Sequence, residues 1–262
     1  MIWMTSVLLA LGPPKQVNIL QAQEAIMTWK IQANGISSDR LGFIYIHTSR
    51  QLIKYSASGD SIYSWSNPLL GNLGRICTLD PLRTLVFLPD FNQIIFLDNT
   101  LSPLADPVNL DDAGFPGVTA AATSKLGGYW IFQGSSQQII KIGADNRPIT
   151  RSVPISISSG NADKAILIES DDKLLLVIPE NEILEFDLFG SFIRKNTLPF
   201  NGFTIRNHEW FSFDTHHLYR KTGPLSDWER SAALPFPEPD EICPATRGWI
   251  IRYKEWVGWY QL

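Results

Sequence analysis

The side chains that could do chemistry are few and scattered. Histidine occurs four times, at His47, His208, His216 and His217. A zinc-type site needs three or four imidazole, thiolate or carboxylate ligands converging on one point. His216 and His217 are adjacent, so on a strand they point to opposite faces. His208 falls on the other side of a hairpin. The four read as surface or turn residues, and no metal site is expected. Asp111-Asp112 and Asp171-Asp172 are adjacent carboxylates. A calcium loop instead alternates its carboxylates around a glycine bend, so these read as polar turns. The chain contains no Gly-x-Ser-x-Gly elbow and no His-Glu-x-x-His helix motif, which removes two common hydrolase signatures. Its two cysteines, Cys77 and Cys243, are too few for a disulfide framework. They read as free, small, buried thiols. No cofactor is implied.

Bulk properties narrow the field further. The 262 residues are 44% hydrophobic and 18% charged, which excludes a disordered, solvating chain. Net charge is -4, and the longest basic clusters are the pairs Arg194-Lys195 and Arg220-Lys221. Displacing counterions from a phosphate backbone takes a basic stripe, so nucleic acid is not an expected partner. Residues 1–24 open with an apolar run too short to span a bilayer and lacking the basic flank of a typical signal peptide. They read as a signal peptide or N-terminal arm, and the protein as periplasmic or secreted. The folded unit is 25–262.

The elements that must position any site repeat along that unit. A polar residue followed by an apolar strand occurs at Gln51-Leu52-Ile53-Lys54-Tyr55, Gln93-Ile94-Ile95-Phe96-Leu97, Gln138-Ile139-Ile140-Lys141-Ile142 and Glu182-Ile183-Leu184-Glu185-Phe186. The starting points lie 42, 45 and 44 residues apart. Weaker copies begin at His217 and near Val257. Each is preceded by a more continuously apolar strand, such as Leu85-Val86-Phe87-Leu88, whose two faces must both be buried. The second strand of each pair alternates and is expected further out. Asp, Asn and Gly punctuate the connections, as at Asp39-Arg40-Leu41-Gly42 and Ser58-Gly59-Asp60, where tight turns need them. A period of 40–45 residues with about four strands defines a propeller blade, and six fit. The last repeat ends after three strands, while 25–32 forms a spare strand. The spacing therefore predicts an all-β, six-bladed propeller of four-stranded blades, closed by the N-terminal strand completing the last blade.

The stretch from Asp39-Arg40-Leu41-Gly42-Phe43-Ile44-Tyr45-Ile46 to Gln51-Leu52-Ile53-Lys54-Tyr55-Ser56-Ala57-Ser58-Gly59 resembles the NHL-type propeller repeat. An acidic residue that often closes the second strand there is replaced by His47, Pro89 and Gln133. Leu88-Pro89-Asp90-Phe91-Asn92, with Leu97-Asp98-Asn99-Thr100, is similar to a group of exported bacterial propellers, which implies an envelope location. The NHL-like fold also includes enzymes with metal ions in the channel. First strands should line that channel with Arg75, Lys164, Glu169, Arg206, Asn207 and Arg247, a set with no carboxylate cage. One loop face collects Arg50, Phe91, Asn92, His216 and Trp256 from second-to-third strand loops. It also collects Phe115, Phe200 and Phe236 from blade-to-blade loops. Aromatic rings on polar loops have little folding role, and loops on a rigid scaffold commonly carry function. The sequence thus points to a non-catalytic binding or scaffolding propeller of the bacterial envelope that engages a protein partner. A channel-centred hydrolase or lyase, or a glycan-binding propeller, is the alternative.

Overall fold

In the computed structural model, residues 24–155, 162–178, 182–200, 202–223 and 225–262 are described. The leading segment 1–23 lies outside them. Strand β1 is Met27–Trp29. Blade 1 comprises β2 (Gly35–Ser38), β3 (Ile44–His47), β4 (Gln51–Tyr55) and β5 (Ser61–Ser66). Blade 2 comprises β6 (Ile76–Cys77), β7 (Thr84–Leu88), β8 (Gln93–Leu97) and β9 (Val108–Asn109). Blade 3 comprises β10 (Val118–Thr123), β11 (Tyr129–Gln133), β12 (Gln138–Ile142) and β13 (Pro148–Arg151). Blade 4 comprises β14 (Ile166–Ser170), β15 (Lys173–Ile178), β16 (Glu182–Asp187) and β17 (Phe192–Thr197). Blade 5 comprises β18 (Gly202–Arg206), β19 (Glu209–Phe213), β20 (His217–Lys221) and β21 (Glu229–Ala233). Blade 6 has β22 (Glu241–Pro244), β23 (Trp249–Tyr253) and β24 (Trp256–Tyr260), and β1 is its fourth strand. The six-bladed propeller is therefore as the repeat spacing predicts.

Each blade is an antiparallel meander, so its first-to-second and third-to-fourth turns lie at one end. We call this end the lower face. The second-to-third loops and the blade-to-blade connections lie on the upper face. Second strands are buried throughout, as in β7 and β11. Third strands were expected to alternate, yet β12 and β16 are almost wholly buried. Their polar positions face neighbouring polar groups rather than water. Lys54 donates to the Asn99 carbonyl of blade 2 at 2.9 Å and lies 4.2 Å from the Phe43 ring centre. Lys141 donates to the Gly127 carbonyl at 2.7 Å, and Glu185 is sealed between Lys173, Arg194 and Asn196. A buried charge is tolerated only when paired in this way. The exposed strands are the fourth ones, such as β5 and β13.

Two local devices recur. Asp side chains cap the turns: Asp187 Oδ1 accepts from the amides of Phe189 and Ser191, and Asp98 Oδ1 from those of Thr100 and Ser102. Arginines staple blades: Arg83 donates to the Gly128 carbonyl of blade 3, and Arg206 to the Gly248 carbonyl of blade 6. Both turn glycines have positive φ, and a Cβ there would lie within about 2 Å of the Ile142 or Tyr260 carbonyl oxygen, so no other residue fits. Cys77 and Cys243 are free thiols on inner strands of blades 2 and 6, with blade 1 between them.

Closure rests on Met27, Thr28 and Trp29 pairing with Trp259, Gly258 and Val257. Met27, Trp29 and Ile31 pack on the core shared by blades 6 and 1. These three side chains are half-buried, so each contributes part of the roughly 1.5–3 kcal/mol of a fully buried one, against a total stability of ~5–15 kcal/mol. Deleting 24–32 should therefore abolish most cooperative unfolding at room temperature, read by denaturant titration. An unchanged midpoint would show that the strand is dispensable.

Candidate functional site

The first strands surround a central channel with a cavity of ≈ 770 Å³. Short polar side chains bind those strands together. Ser37 and Thr78 share a hydrogen bond at 2.5 Å, and Thr78 also donates to the Ser38 carbonyl. Ser38 donates to the Pro244 carbonyl, and Cys77 meets Thr123 at 3.1 Å. This belt runs from blade 6 through blades 1 and 2 to blade 3. The Cys243 thiol is surrounded by protein although the lumen reaches part of the residue, and burial pushes it up to about 12. A thiol so raised stays protonated and is a poor nucleophile.

The upper mouth holds a charged cluster. Arg252 meets Glu241 at 3.3 Å and Asp240 at 3.5 Å, and donates to the Ala33 carbonyl at 3.3 Å. Glu241 also accepts the Ile36 amide. His47 lies opposite Gly35 across the first hairpin. Its imidazole occupies the space a Cβ at position 35 would need. Nδ1 lies 3.1 Å from the Thr48 carbonyl, so the neutral ring donates there and leaves Nε2 bare. Desolvation by burial lowers the His47 pKa below the usual 6.5, and the Thr48 carbonyl and Glu241 oppose that shift. His47 was expected at the surface. It is buried because Gly35 leaves room for the ring. Arg75 lines the same cavity, exposed and without an ion-pair partner among the described residues.

The lower mouth is marked by His208, whose Nδ1 lies 2.6 Å from Asp171 Oδ2. Asn207 and His208 both have positive φ, as a tight type I′ hairpin turn requires. The His208 contact is the main cause that holds the Asp171 carboxyl below the usual range. His216 and His217 sit apart from both mouths, their amides capped by Asp214. Among the described residues no three His, Cys, Asp or Glu side chains are grouped to hold a metal ion.

The predicted channel residues divide. Arg75, Asn207 and Glu169 border the channel cavity. Glu169 is buried, however, and accepts from the Lys125 amide and Trp130 Nε1, so it braces blade 3 against blade 4. Arg206 and Arg247 border a second cavity of ≈ 590 Å³ beneath blade 6. The Arg206 guanidinium is drawn there by the Gly248 carbonyl and the Trp249 ring, 5.1 Å from its centre. Lys164 is exposed on a short 3₁₀ turn ahead of β14.

The predicted upper-face residues also divide. Phe115 is 1% exposed and belongs to the core between blades 2 and 3. Gly114 turns the chain inward with φ 87°, and the Phe115 amide bonds the Leu110 carbonyl. Asn92 is a strut, donating to Asp111 at 2.6 Å and to the Phe115 carbonyl at 2.9 Å. Phe200 is half-buried, stacked on Tyr219 at 4.0 Å. Phe91 and Phe236 are exposed, as are Arg50 and His216. Phe236 meets the Trp256 ring edge-on at 5.3 Å, and Trp256 stacks on Tyr253 at 4.3 Å. Sequence reasoning missed His47, Asp240, Glu241 and Arg252.

The fold and channel define the class: a six-bladed, all-β propeller. No family model matches the sequence, and no curated protein matches it. Among solved structures it is similar to a streptogramin B lyase, at 16% identity over 90% of this chain and 85% of the other, with a TM-score of 0.59. It is similar to virginiamycin B lyase from Staphylococcus aureus at 11% identity, over 90% and 98% of the two chains, with a TM-score of 0.61. BamB from Moraxella catarrhalis aligns at 12% identity over 87% and 84%, with a TM-score of 0.50. At such identities the likeness is one of fold. No helix among the described residues is long and apolar enough to cross a membrane.

The His47 shift has a stability consequence. A folded-state pKa below 6.5 means that the unfolded chain binds the proton more readily. This contribution is fully present above pH 6.5 and is lost as pH falls through 6.5 towards the folded value. Thermal melts at pH 7.5 and 5.0 should show a smaller loss in a His47→Asn variant than in the native chain. Equal losses would assign the acid sensitivity to other groups.

Proposed function

We propose that the protein is a non-catalytic binding propeller of the bacterial envelope that engages a protein partner through its upper face. The observation that carries this reading is the Phe236–Trp256–Tyr253 platform. Its exposed Phe236 ring stands beside the Arg252–Asp240–Glu241 cluster. Aromatic rings and arginine are the residue types enriched at interface hot spots. Phe91 and Arg50 extend the surface over blades 2 and 1. The similarity of Leu88-Pro89-Asp90-Phe91-Asn92 and Leu97-Asp98-Asn99-Thr100 to exported bacterial propellers, with the apolar leading segment, supports an exported, envelope location. A glycan could use the same rings, since stacking on aromatic faces serves sugars as well.

The channel supports a second reading, as a lyase. A cavity of ≈ 770 Å³ opens beside the bare Nε2 of a neutral His47, and two of the similar folds are lyases. Incubation with a streptogramin B, followed by mass spectrometry, separates the two readings. The binding reading expects the compound unchanged.

The binding reading is tested with Phe91→Ala/Phe236→Ala. Both rings are exposed, so the melting temperature should stay close to native. Affinity for a partner identified by crosslinking in envelope extracts should fall by ~2 kcal/mol or more per hot-spot ring. Native affinity in the folded variant would move the interface off this face.

A further inference from the structure

The cavity of ≈ 590 Å³ beneath blade 6 lies across the closing seam. Four pieces of chain wall it: Met27 on the closing strand, Ser58 on the third-to-fourth turn of blade 1, Arg247 on the first-to-second turn of blade 6, and Arg206 at the end of β18 in blade 5. Met27 reaches across the seam because position 59 is glycine: a Cβ there would lie 1.8 Å from the Met27 sulfur. The Trp259 indole, also in the wall, is held in place by donating its Nε1 hydrogen to the Arg247 carbonyl. Ile26, 48% exposed, lines the same cavity.

The electrostatics of this cavity are one-sided. Its charged side chains are Arg206 and Arg247, and no Asp or Glu lines it. Arg206 is half-buried. It donates to the Gly248 carbonyl at 3.2 Å and lies over the Trp249 ring, which fixes the guanidinium without neutralising it. Arg247 is exposed, and its side chain has no hydrogen bond or ion pair among the described residues. Asp60, on the neighbouring turn of blade 1, lies outside the lining and accepts the Ser58 hydroxyl at 2.7 Å. A partly desolvated cation without a counter-charge favours an anion brought from solution. The planar guanidinium fork matches the two oxygens of a carboxylate. The whole chain carries net charge -4, so attraction of an anion here is local and not a property of the surface at large. Ile26, Met27 and Trp259 supply apolar contact beside the two cations. Ligand pockets commonly combine an apolar lining with a few convergent polar groups in this way.

We propose that this seam cavity binds an amphipathic carboxylate, with the carboxylate on Arg206 and Arg247 and a short apolar body against Ile26, Met27 and Trp259. Such a ligand touches blade 5, blade 6 and the closing strand at once, so its binding stabilises the closed ring. The inference does not depend on what the upper face or the channel binds.

Equilibrium dialysis of the full chain tests it with three probes: octanoate, its uncharged counterpart octanamide, and acetate, which lacks the apolar body. Octanoate should saturate a single site, and the other two should bind about tenfold more weakly or less, since each lacks one of the two kinds of contact. Octanoate should also raise the melting temperature with dose, because it binds the folded ring. Arg247→Gln removes an exposed side chain without a described partner, so it should melt like the native protein alone yet bind octanoate about tenfold more weakly. Thr246→Glu, which places a carboxylate on the same exposed rim, should weaken binding as well and serves as the second variant. Arg40→Gln, a lower-face cation outside this cavity, should bind octanoate like the native chain. Three results would overturn the proposal: no saturable binding of octanoate, octanamide binding as tightly as octanoate, or native octanoate affinity in the folded Arg247→Gln and Thr246→Glu variants. A loss in Arg40→Gln equal to that in Arg247→Gln would also overturn it, by showing that the anion is held by general surface charge.

Discussion

The ring depends on three residue pairs. Without Met27–Trp29 against Val257–Trp259, blade 6 is a three-stranded sheet with an open edge, and the seam between blades 6 and 1 has no covalent reinforcement. An unpaired edge exposes a row of amide and carbonyl groups. Pairing removes that edge and also brings Trp29 to Tyr55 of blade 1, 5.2 Å between ring centres. Arg252 reinforces the seam by reaching from β23 to the Ala33 carbonyl just after the closing strand. The mouth cluster is therefore part of the closure as well as part of the channel.

Polar groups buried in this protein serve mainly as inter-blade struts. Lys54, Arg83, Glu169 and Arg206 each reach across to a neighbouring blade's backbone or ring. Such bonds orient one sheet on the next in a way that the apolar contacts between them cannot. The consequence for function is that charge near the axis is a poor guide to a ligand site. His47 and Arg75 are among the described residues that line the channel cavity without bracing a neighbouring blade.

The architecture was legible because strand periodicity and turn residues repeat. Leu85-Val86-Phe87-Leu88 can only be a strand buried on both faces, and Asp98 and Asp187 announce their turns. The closing strand was legible as the complement to a last repeat one strand short. The site was less so. Phe115 lies between polar loop residues like Phe91, and its inward turn hinges on the backbone at Gly114, which a pattern of residue types does not contain. His47 is buried because Gly35 lies across from it, and that pairing is a matter of register. Arg206 was assigned to the channel from its place at the end of an inner strand, but a carbonyl and an indole ring one blade away decide where its side chain points. The alternation expected for third strands failed for a related reason: Lys141 and Glu185 are polar positions whose partners are protein, not water.

A closing pair between residues 27 and 259 also orders events in time. At ~5–20 residues per second, the partner strand β24 leaves the ribosome roughly 12–46 s after β1. During that interval blades 1 to 5 can fold as local meanders, while β1 has nothing to pair with and Trp29 no finished seam to enter. Contacts so distant in sequence form last. The fold therefore has an intrinsic late step: a nearly complete arc whose two ends are still apart. A chain crossing a membrane unfolded would meet that step only on the far side. Until it is passed, the protein's most exposed apolar surface is the pair of blade faces that will become the seam. Any holdase that protects this protein during biogenesis would find its binding site there and would lose it when the ring shuts.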